Sequence, residues 1–296
     1  MSKIFKSTLL IFTVFFYQNI FSQGCSDAGF CTLENFQGTA TDSISFSNSL
    51  KFGANIGAAD NDVSVFGSYL EYTRQLNENW EVLAKVTYLS QSLDGFSSSS
   101  LADAYLTASY SVSSSVKIIG GLKIPFTDGN LKDNGFALPM DFQPSLGTLD
   151  LILGASKSYN NWAFVFAYQQ PLTQNNNEFL APVGSDYIST NNFKRAGDIL
   201  LRTSYKFNIA DKFLITPSLL PIYHLASDKF TDVDDIEKEI KGSNGLTLNA
   251  NLYLNYMINK RNSLELSFGS PLVVRDTRPD GLTRSFVANL EYKISF

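Results

Sequence analysis

The stretch that decides the fold is Gly281 to Phe296, with the sequence GLTRSFVANLEYKISF. Apolar and polar residues alternate along it. Because successive side chains of a β-strand point to opposite faces, the pattern predicts a strand with one apolar face and one hydrated face. The apolar face carries Phe286, Ala288, Leu290, Tyr292, Ile294 and Phe296. The rest of the chain has to indicate which surroundings this apolar face meets.

The first residues have the three parts of a secretory leader: Lys3 and Lys6, an apolar run from Leu9 to Tyr17, and the small residue Ser22. The run is too short to cross a membrane as a helix, and its flanks fit a cleaved export signal. We therefore predict that residues 1–22 are a signal peptide. No later stretch of the sequence reaches the ~20 apolar residues of a spanning helix.

Cys25 and Cys31 are the only cysteines, and they lie in residues 23–42, a segment expected to remain in the periplasm. An oxidising compartment favours a disulfide between them over a free pair or a metal site. His224 is the only histidine, so further metal ligands are scarce, and no metal or cofactor is expected. Lipidation of Cys25 is a further alternative, but the residues before it do not match a lipoprotein signal.

The formal net charge is −5, and removal of the leader with its two lysines makes the chain more acidic. An acidic balance without a basic patch argues against nucleic acid as a partner.

Twelve runs of alternating apolar and polar residues follow between residues 43 and 296. Short polar turns such as Asn160-Asn161 alternate with long polar loops such as 127–147 and 171–194. Periplasmic turns and extracellular loops alternate in this way in outer-membrane barrels, and a closed barrel is the only all-strand structure that pairs every backbone group in lipid. The sequence therefore predicts an all-β protein, a closed antiparallel transmembrane β-barrel of about twelve strands over residues 43–296, in the cell outer membrane. A soluble sandwich is the competing fold.

The ninth run is the least regular, because it contains Pro217 and Pro221 and proline cannot donate to a strand ladder. A Ser-rich loop is expected at Gln91–Ser100. The runs are Ser43–Gly57, Val63–Leu76, Trp80–Ser90, Ala102–Val112, Val116–Phe126, Thr148–Ser158, Trp162–Gln170, Arg195–Phe207, Phe213–Ala226, Leu246–Met257, Ser263–Val274 and the closing run. Aromatic girdles are expected at Tyr72, Trp80, Tyr88, Tyr110, Trp162, Tyr168, Tyr205 and Tyr256.

Charged residues of both signs recur on the polar faces of these runs, where Lys51 and Glu81 also lie. Inside a barrel they would either select ions and solutes or pair into a ladder that closes the lumen. The residues predicted to line the lumen are Glu71, Lys85, Asp103, Lys117, Lys123, Asp150, Asp198, Arg202, Lys206, Glu265, Glu291 and Lys293.

Two other sites are weaker alternatives. A lipase-like barrel would need His224 as its base, and the position of this histidine in the irregular ninth run favours no enzyme. The acidic loop from Thr231 to Gly242 offers oxygen ligands for calcium but lacks the spacing of an EF-hand, so a solvated loop is favoured.

The run GLKIPFTDGNLKDNGFALPMDFQPSLGTLDLILG, residues 121–154, resembles the centre of the outer-membrane barrel family assigned to transport in the phenol-degradation meta pathway. That family is similar to a reduced fatty-acid-transporter barrel. Its Gln-x-Ser-Leu-Gly-x-x-Asp element is found here as Gln143, Ser145, Leu146, Gly147 and Asp150. Where the family has Pro-Thr-Gly-Asp, this chain reads Pro-Phe-Thr-Asp-Gly from Pro125. The resemblance implies a transport function without naming a solute.

We thus expect an outer-membrane channel or transporter for passive uptake of small, hydrophobic or aromatic solutes, with outer-membrane lipid and a small-molecule solute as its partners. The alternative is a structural or accessory barrel whose lumen is closed and whose loops bind other envelope proteins. Tyr292, Ile294 and Phe296 also resemble the C-terminal aromatic signal that the barrel-insertion machinery recognises.

Overall fold

The computed structural model describes residues 33, 36, 47–281 and 284–296. The predicted signal peptide, Cys25 and Cys31 lie outside the described residues, as does the start of the first predicted run at Ser43. Of the segment 23–42, the structure describes Leu33 and Phe36. No helix in this described part of the chain is both long enough and apolar enough to cross a membrane.

Twelve antiparallel strands form one sheet, in which the segments Asp198–Tyr205 and Phe207–Ala210 are successive parts of a single strand interrupted at Lys206. The strands are β1 Asn48–Ala59, β2 Ser64–Gln75, β3 Trp80–Leu93, β4 Phe96–Ser113, β5 Val116–Pro125, β6 Asp150–Tyr159, β7 Trp162–Pro171, β8 Asp198–Tyr205 with Phe207–Ala210, β9 Phe213–His224, β10 Gly245–Met257, β11 Asn262–Val273 and β12 Arg284–Ser295.

The sheet closes on itself, because each strand pairs with the next and β12 pairs with β1. At this seam Phe52 lies opposite Tyr292 and Leu50 opposite Ile294. The predicted closed twelve-stranded barrel is therefore confirmed. The predicted rhythm of connections is also present: two residues, Asn160 and Asn161, join β6 to β7, whereas residues 172–197 join β7 to β8.

Gln91–Ser100 differs from its predicted loop. β3 and β4 run through this Ser-rich stretch and meet at Asp94-Gly95, where both residues have positive φ, 49° and 85°. Positive φ at both central residues is the geometry of a tight hairpin turn, and Asp-Gly is a strong signal for it. The serines were read as loop residues, whereas they pair across the hairpin, for example Ser92 with Ser97.

The ninth predicted run is a full strand, β9, despite its prolines. Its pairing with β10 continues from Phe213 to His224. On the other side, the ladder to β8 has a gap at Pro221 and Leu220. Proline lacks the N–H that a ladder bond needs, which accounts for a gap at Pro221.

The outer surface is apolar. Large hydrophobic side chains are exposed around the barrel, among them Phe52, Leu106, Phe166 and Leu290. At the end with the short turns, the ring centroids of Trp80 and Tyr110 lie 5.0 Å apart, and those of Trp162 and Tyr205 lie 4.8 Å apart. An apolar band bordered by aromatic rings is the surface that a lipid bilayer requires.

The buried core lies inside the barrel and beneath the long loops. Small two-stranded hairpins occur within these loops at Lys132–Asp133 with Phe136–Ala137, and at Lys229–Thr231 with Glu237–Glu239. The long-loop end is packed by apolar side chains of the loops themselves, including Met140, Phe142, Leu146, Phe193 and Ile240. These side chains fill much of the mouth of the barrel.

Candidate functional site inside the barrel

The alternation of exposure along each strand identifies its inner face. On β7, Phe164 and Phe166 are exposed, whereas Val165 and Ala167 between them are buried. Since neighbouring side chains point to opposite faces, the buried set faces the barrel interior. The inner wall built in this way has a charged region and an apolar region.

The charged region, which we call the charged cluster, consists of Lys51 on β1, Tyr69 and Glu71 on β2, Lys85 on β3 and Glu291 on β12. Lys51 Nζ lies 3.5 Å from Glu71 Oε1 and 3.1 Å from Glu291 Oε2. Lys85 Nζ lies 3.6 Å from Glu71 Oε2. All five side chains are buried. Buried charges need paired and hydrogen-bonded partners, and here two lysines alternate with two glutamates across four strands.

Tyr69 completes this cluster. Its hydroxyl donates a hydrogen bond to Glu291 Oε1, and Lys85 Nζ lies 3.7 Å from the centre of its ring. The ring lies across Gly53, where an added Cβ would fall 2.1 Å from Tyr69 Cζ. A side chain at position 53 would therefore displace the ring, so the glycine makes room for Tyr69 to reach Glu291.

A second ionic group joins the wall to the long connection 126–149. Lys123 Nζ lies 2.9 Å from Asp150 Oδ2 and donates to Thr148 Oγ1 at 3.2 Å. Asp103 accepts a hydrogen bond of 2.7 Å from Ser145. Gln143 is fully buried, and its carbonyl accepts a 2.8 Å bond from Gln91. The Gln-x-Ser-Leu-Gly-x-x-Asp element therefore ties this loop into the mouth of the barrel.

The largest ionic group, the mouth network, lies where β8 begins and β9 ends. His224 Nδ1 lies 2.6 Å from Asp198 Oδ1, and His224 Nε2 lies 2.7 Å from Asp228 Oδ1. Arg195 Nη2 lies 2.5 Å from Asp198 Oδ2. The network extends to a further ion pair of 2.9 Å, between Arg275 and Asp280. It joins residues of the connections 172–197, 225–244 and 274–281 to the start of β8 and the end of β9.

Both ring nitrogens of His224 are thus occupied by carboxylates, and the side chain is buried. A lipase-like mechanism needs one histidine nitrogen to take a proton from a serine. This geometry favours a structural role for His224. No group of three or more His, Cys, Asp or Glu residues in the part of the chain that the structure describes is arranged to hold a metal ion.

Two carboxylates of the acidic loop form ion pairs with lysines. Lys194 and Lys229 both contact Glu237, the latter at 2.9 Å, and their hydrogen bonds lower the pKa of Glu237 to about 2. Lys238 contacts Asp232, which also accepts 2.9 Å bonds from two backbone N–H groups, and these bonds lower the pKa of Asp232. The carboxylates of Asp232 and Glu237 are therefore already partnered by lysines and backbone groups of the chain itself.

The apolar region begins beside the charged cluster, because Leu83 lies two residues before Lys85 on β3, and it continues along the inner wall to β9. We call it the apolar patch. All its side chains are almost completely buried, and Leu33 and Phe36 from the segment before β1 pack against it. Its members are Leu83, Tyr105, Ile119, Ile152, Val165, Ala167, Leu200, Leu220 and Ile222.

No protein-family model and no curated protein sequence matches the chain. Among solved structures, it is similar to an outer-membrane channel from Pseudomonas putida F1, with a TM-score of 0.60 and 12% identity over 88% of this chain and 98% of that chain. The translocator domain of autotransporter NalP from Neisseria meningitidis gives a TM-score of 0.53 and 8% identity over 88% and 91% of the two chains. The chain has the fold of an outer-membrane β-barrel. One of these similar proteins is a channel and the other is a translocator domain, so the function of this outer-membrane barrel has to be argued from its interior.

The outer-membrane barrel buries most of the predicted lumen residues. Glu71, Lys85 and Glu291 come together in the charged cluster, Lys123 meets Asp150, and Asp198 joins the mouth network. Elsewhere Arg202 donates a 2.9 Å bond to Tyr253, and Asn255 donates a 3.5 Å bond to Glu265. The remaining three predicted residues are only partly buried, near the short-turn end: Lys117, Lys206 and Lys293.

Sequence reasoning missed several residues of the interior. The sequence pattern led to no prediction for Tyr69, although this residue lies two positions before Glu71 and therefore on the same face of the strand. The loops contain Asp228, Arg275 and Asp280, and in loops no alternation of side chains indicates which of them point into the barrel. The whole apolar patch was missed, because the polar alternation expected of a lumen was assumed for every strand.

Proposed function

We propose that the protein is a passive outer-membrane channel or transporter for small solutes, hydrophobic and aromatic ones included. One observation carries this proposal: buried apolar side chains of the inner wall form one cluster that extends from β3 to β9. A barrel interior that holds only water is lined by polar groups. An apolar inner surface instead lowers the free energy of an apolar solute by about 25 cal/mol per Å² removed from water.

Two similarities between this chain and known outer-membrane proteins support a channel function. The protein from Pseudomonas putida with the same fold is an outer-membrane channel. Residues 121–154 resemble the meta-pathway transport family, and the element from Gln143 to Asp150 that carries this resemblance lies buried at the mouth. The packed loops 126–149 and 172–197 would act as the constriction.

Vesicles test this proposal. Purified, folded protein in liposomes is expected to raise conductance and the uptake of small solutes above those of empty vesicles. Vesicles with heat-unfolded protein are the matched control. If neither conductance nor uptake exceeds these controls, the transport proposal is wrong.

A second candidate is an accessory barrel with a closed lumen whose loops or N-terminal segment bind other envelope proteins. It is favoured by the charged cluster, in which Lys51 and Lys85 pair with Glu71 and Glu291 in the interior. Co-purification of stoichiometric envelope partners together with an absence of conductance would support it. Conductance by the purified protein alone would contradict it.

We also propose that Phe296 is part of the signal for the insertion machinery, after export through the cleaved leader. Its side chain is half exposed, on the same face as the partly buried Ile294 and Tyr292. Phe296→Asp is expected to lower the amount in the outer membrane severalfold while export continues, and Phe296→Tyr is expected to retain it. Fractionation of cells with immunoblotting measures both. Equal membrane amounts for Phe296→Asp and the wild type would contradict the signal.

A further inference from the structure

The β3–β4 hairpin extends beyond the apolar band at the long-loop end of the barrel. Tyr88 and Leu101 lie opposite each other and are the last large apolar side chains on its outward face. From this pair to the turn at Asp94-Gly95, every outward position of both strands is a serine. The outer surface therefore changes from apolar to hydroxyl-bearing within one pair of residues.

The serines continue onto the neighbouring strand β2. Ser64 lies opposite Ser92, which lies opposite Ser97, and Ser90 lies opposite Ser99. The Cβ atoms of directly opposed residues lie about 4.5–5.5 Å apart, so these hydroxyl groups form one surface. We call it the outward serine face, and none of its side chains is buried.

The hairpin is held in this orientation by its inward side chains. Ser98 Oγ donates a 2.6 Å hydrogen bond to the carbonyl of Phe142, and Gln91 Nε2 donates one of 2.8 Å to the carbonyl of Gln143. The ring centroids of Phe96 and Phe142 lie 5.1 Å apart. Because these contacts fix the inner face to the connection after β5, the serines stay directed outward.

The outward serine face lies at the level of the lipid headgroups. Phe66 on β2 points outward with Tyr88 and Leu101, and all three are exposed on the lipid-facing surface. Ser90 and Ser92 follow Tyr88 by two and four residues, which places them about 5 and 10 Å further along the barrel axis for a tilted strand. Headgroups add about 5–8 Å to the hydrocarbon layer on each side. The headgroup layer is therefore the neighbour of these serines outside the protein.

A groove of about 510 Å³ adjoins the serines at the tip of the hairpin, and this volume is in the range of small-molecule sites. Asp62 and Asp94 line it together with Ser64, Ser92 and Ser97. Hydroxyl and carboxylate oxygens accept hydrogen bonds from sugar hydroxyls, and serine also donates them. Recognition of phosphate relies on lysine and arginine. Neither occurs among the residues of the groove and of the outward serine face, all of which the structure describes, so the chemistry suits an uncharged sugar.

We propose that the outward serine face and the adjoining groove bind the uncharged sugar headgroup of a glycolipid in the outer leaflet. The inference goes beyond the proposed transport function and does not depend on it. It assigns a ligand to a surface that faces away from the lumen.

Lipid retention tests this surface. The protein is placed in nanodiscs of phosphatidylcholine with a minor share of digalactosyl diacylglycerol, and native mass spectrometry counts the lipids that remain on the released barrel. The glycolipid is expected to be enriched several-fold over its share in the nanodisc. A second preparation, with phosphatidylglycerol in place of the glycolipid, is expected to show no enrichment, because the surface has no basic side chain for phosphate.

Double variants locate the binding. Ser92→Val/Ser97→Val removes two hydroxyl groups and keeps strand-forming side chains, so the enrichment is expected to fall several-fold. Ser92→Thr/Ser97→Thr keeps the hydroxyl groups and is expected to retain the enrichment. Ser113→Val/Ser114→Val is the matched control, because these exposed serines lie at the short-turn end of β4, and it is expected to leave the enrichment unchanged.

Heat-modifiable electrophoretic mobility verifies that each variant is a folded barrel. Equal enrichment in the wild type and in Ser92→Val/Ser97→Val would overturn the proposal, and so would phosphatidylglycerol enriched at least as strongly as the glycolipid. If the wild type enriches neither lipid, the outward serine face binds no headgroup specifically and the proposal falls, whatever the conductance of the vesicles.

Discussion

The charged cluster and the apolar patch lie on the same inner wall and use the same strand geometry, but they fill it by different physics. In the charged cluster, Tyr69 lies across Gly53 and reaches a carboxylate. In the apolar patch, Phe36 lies against Gly154, in a cluster made of aliphatic side chains and Tyr105. In the charged cluster, hydrogen bonds and ion pairs determine how the side chains are arranged. In the apolar patch, the close packing of apolar side chains does. The interior of this barrel therefore has two kinds of surface, and of these the apolar patch is the one suited to contact with an uncharged solute.

The charged cluster should be the region most sensitive to single changes. Glu71→Ala removes the carboxylate that lies between Lys51 and Lys85 and leaves two buried ammonium groups with fewer partners. Breaking a buried ion pair from one side costs about 3–5 kcal/mol. Reversible unfolding in urea from lipid vesicles measures the loss.

Glu81→Ala is the matched control for this change. Its partner Lys117 lies 3.8 Å away and is far more exposed than Lys85. Exposed pairs contribute about 0–1 kcal/mol, so a small loss is expected. Equal losses for Glu71→Ala and Glu81→Ala would remove the distinction between the charged cluster and ordinary surface pairs.

The apolar patch should respond as a packed core does. Leu200→Ala leaves a cavity in it and is expected to lower the free energy of unfolding by about 2–5 kcal/mol. Leu201→Ala, the next residue of β8, faces lipid, whose mobile chains refill the space, so its loss should be smaller. The same urea titration compares them. If Leu201→Ala proved the costlier of the two, the patch would not be a packed surface.

The acidic loop offers the mildest test, since its ion pairs lie outside the wall. Lysine hydrogen bonds lower the pKa of Glu237 to about 2 from 4.5. A lowered carboxyl pKa adds stability that is present above pH ~4.5 and lost as the pH falls towards 2. A carbon-13 NMR titration of Glu237 is expected to show a midpoint near 2 that moves towards 4.5 in Lys194→Met/Lys229→Met. If the midpoint does not change in this variant, the two lysines are not the cause of the lowered pKa of Glu237.

The closed barrel was predictable because most strands alternate visibly. Trp162, Phe164 and Phe166 are large and aromatic and point outward, while the smaller Ala163 and Val165 lie between them, so the outer face of β7 was predictable from the sequence. Strand number and closure followed from the repetition of such runs and from the alternation of short and long connections.

The apolar patch was not predictable by the same reasoning. On β9, Leu219 and Tyr223 face outward while Leu220 and Ile222 face inward, so both faces are apolar and the alternation disappears. The weak alternation of this run, which together with Pro217 and Pro221 made its prediction as a strand insecure, results from the same apolar residues that contribute to the patch. Contacts such as Phe36 with Gly154 or Arg195 with Asp280 join residues far apart in sequence, and no local period encodes them.

The seam between β1 and β12 has a consequence for how the molecule forms. Asn48 and Phe296 exchange backbone hydrogen bonds of 3.0 and 2.9 Å across a separation of 248 residues. A product shortened within β12 would leave β1 and β11 with unpaired edges, which are prone to join other chains. Contacts of such long range also form slowly. Pairing of β1 with β12 is therefore the step of barrel closure that a chain shortened within β12 cannot complete.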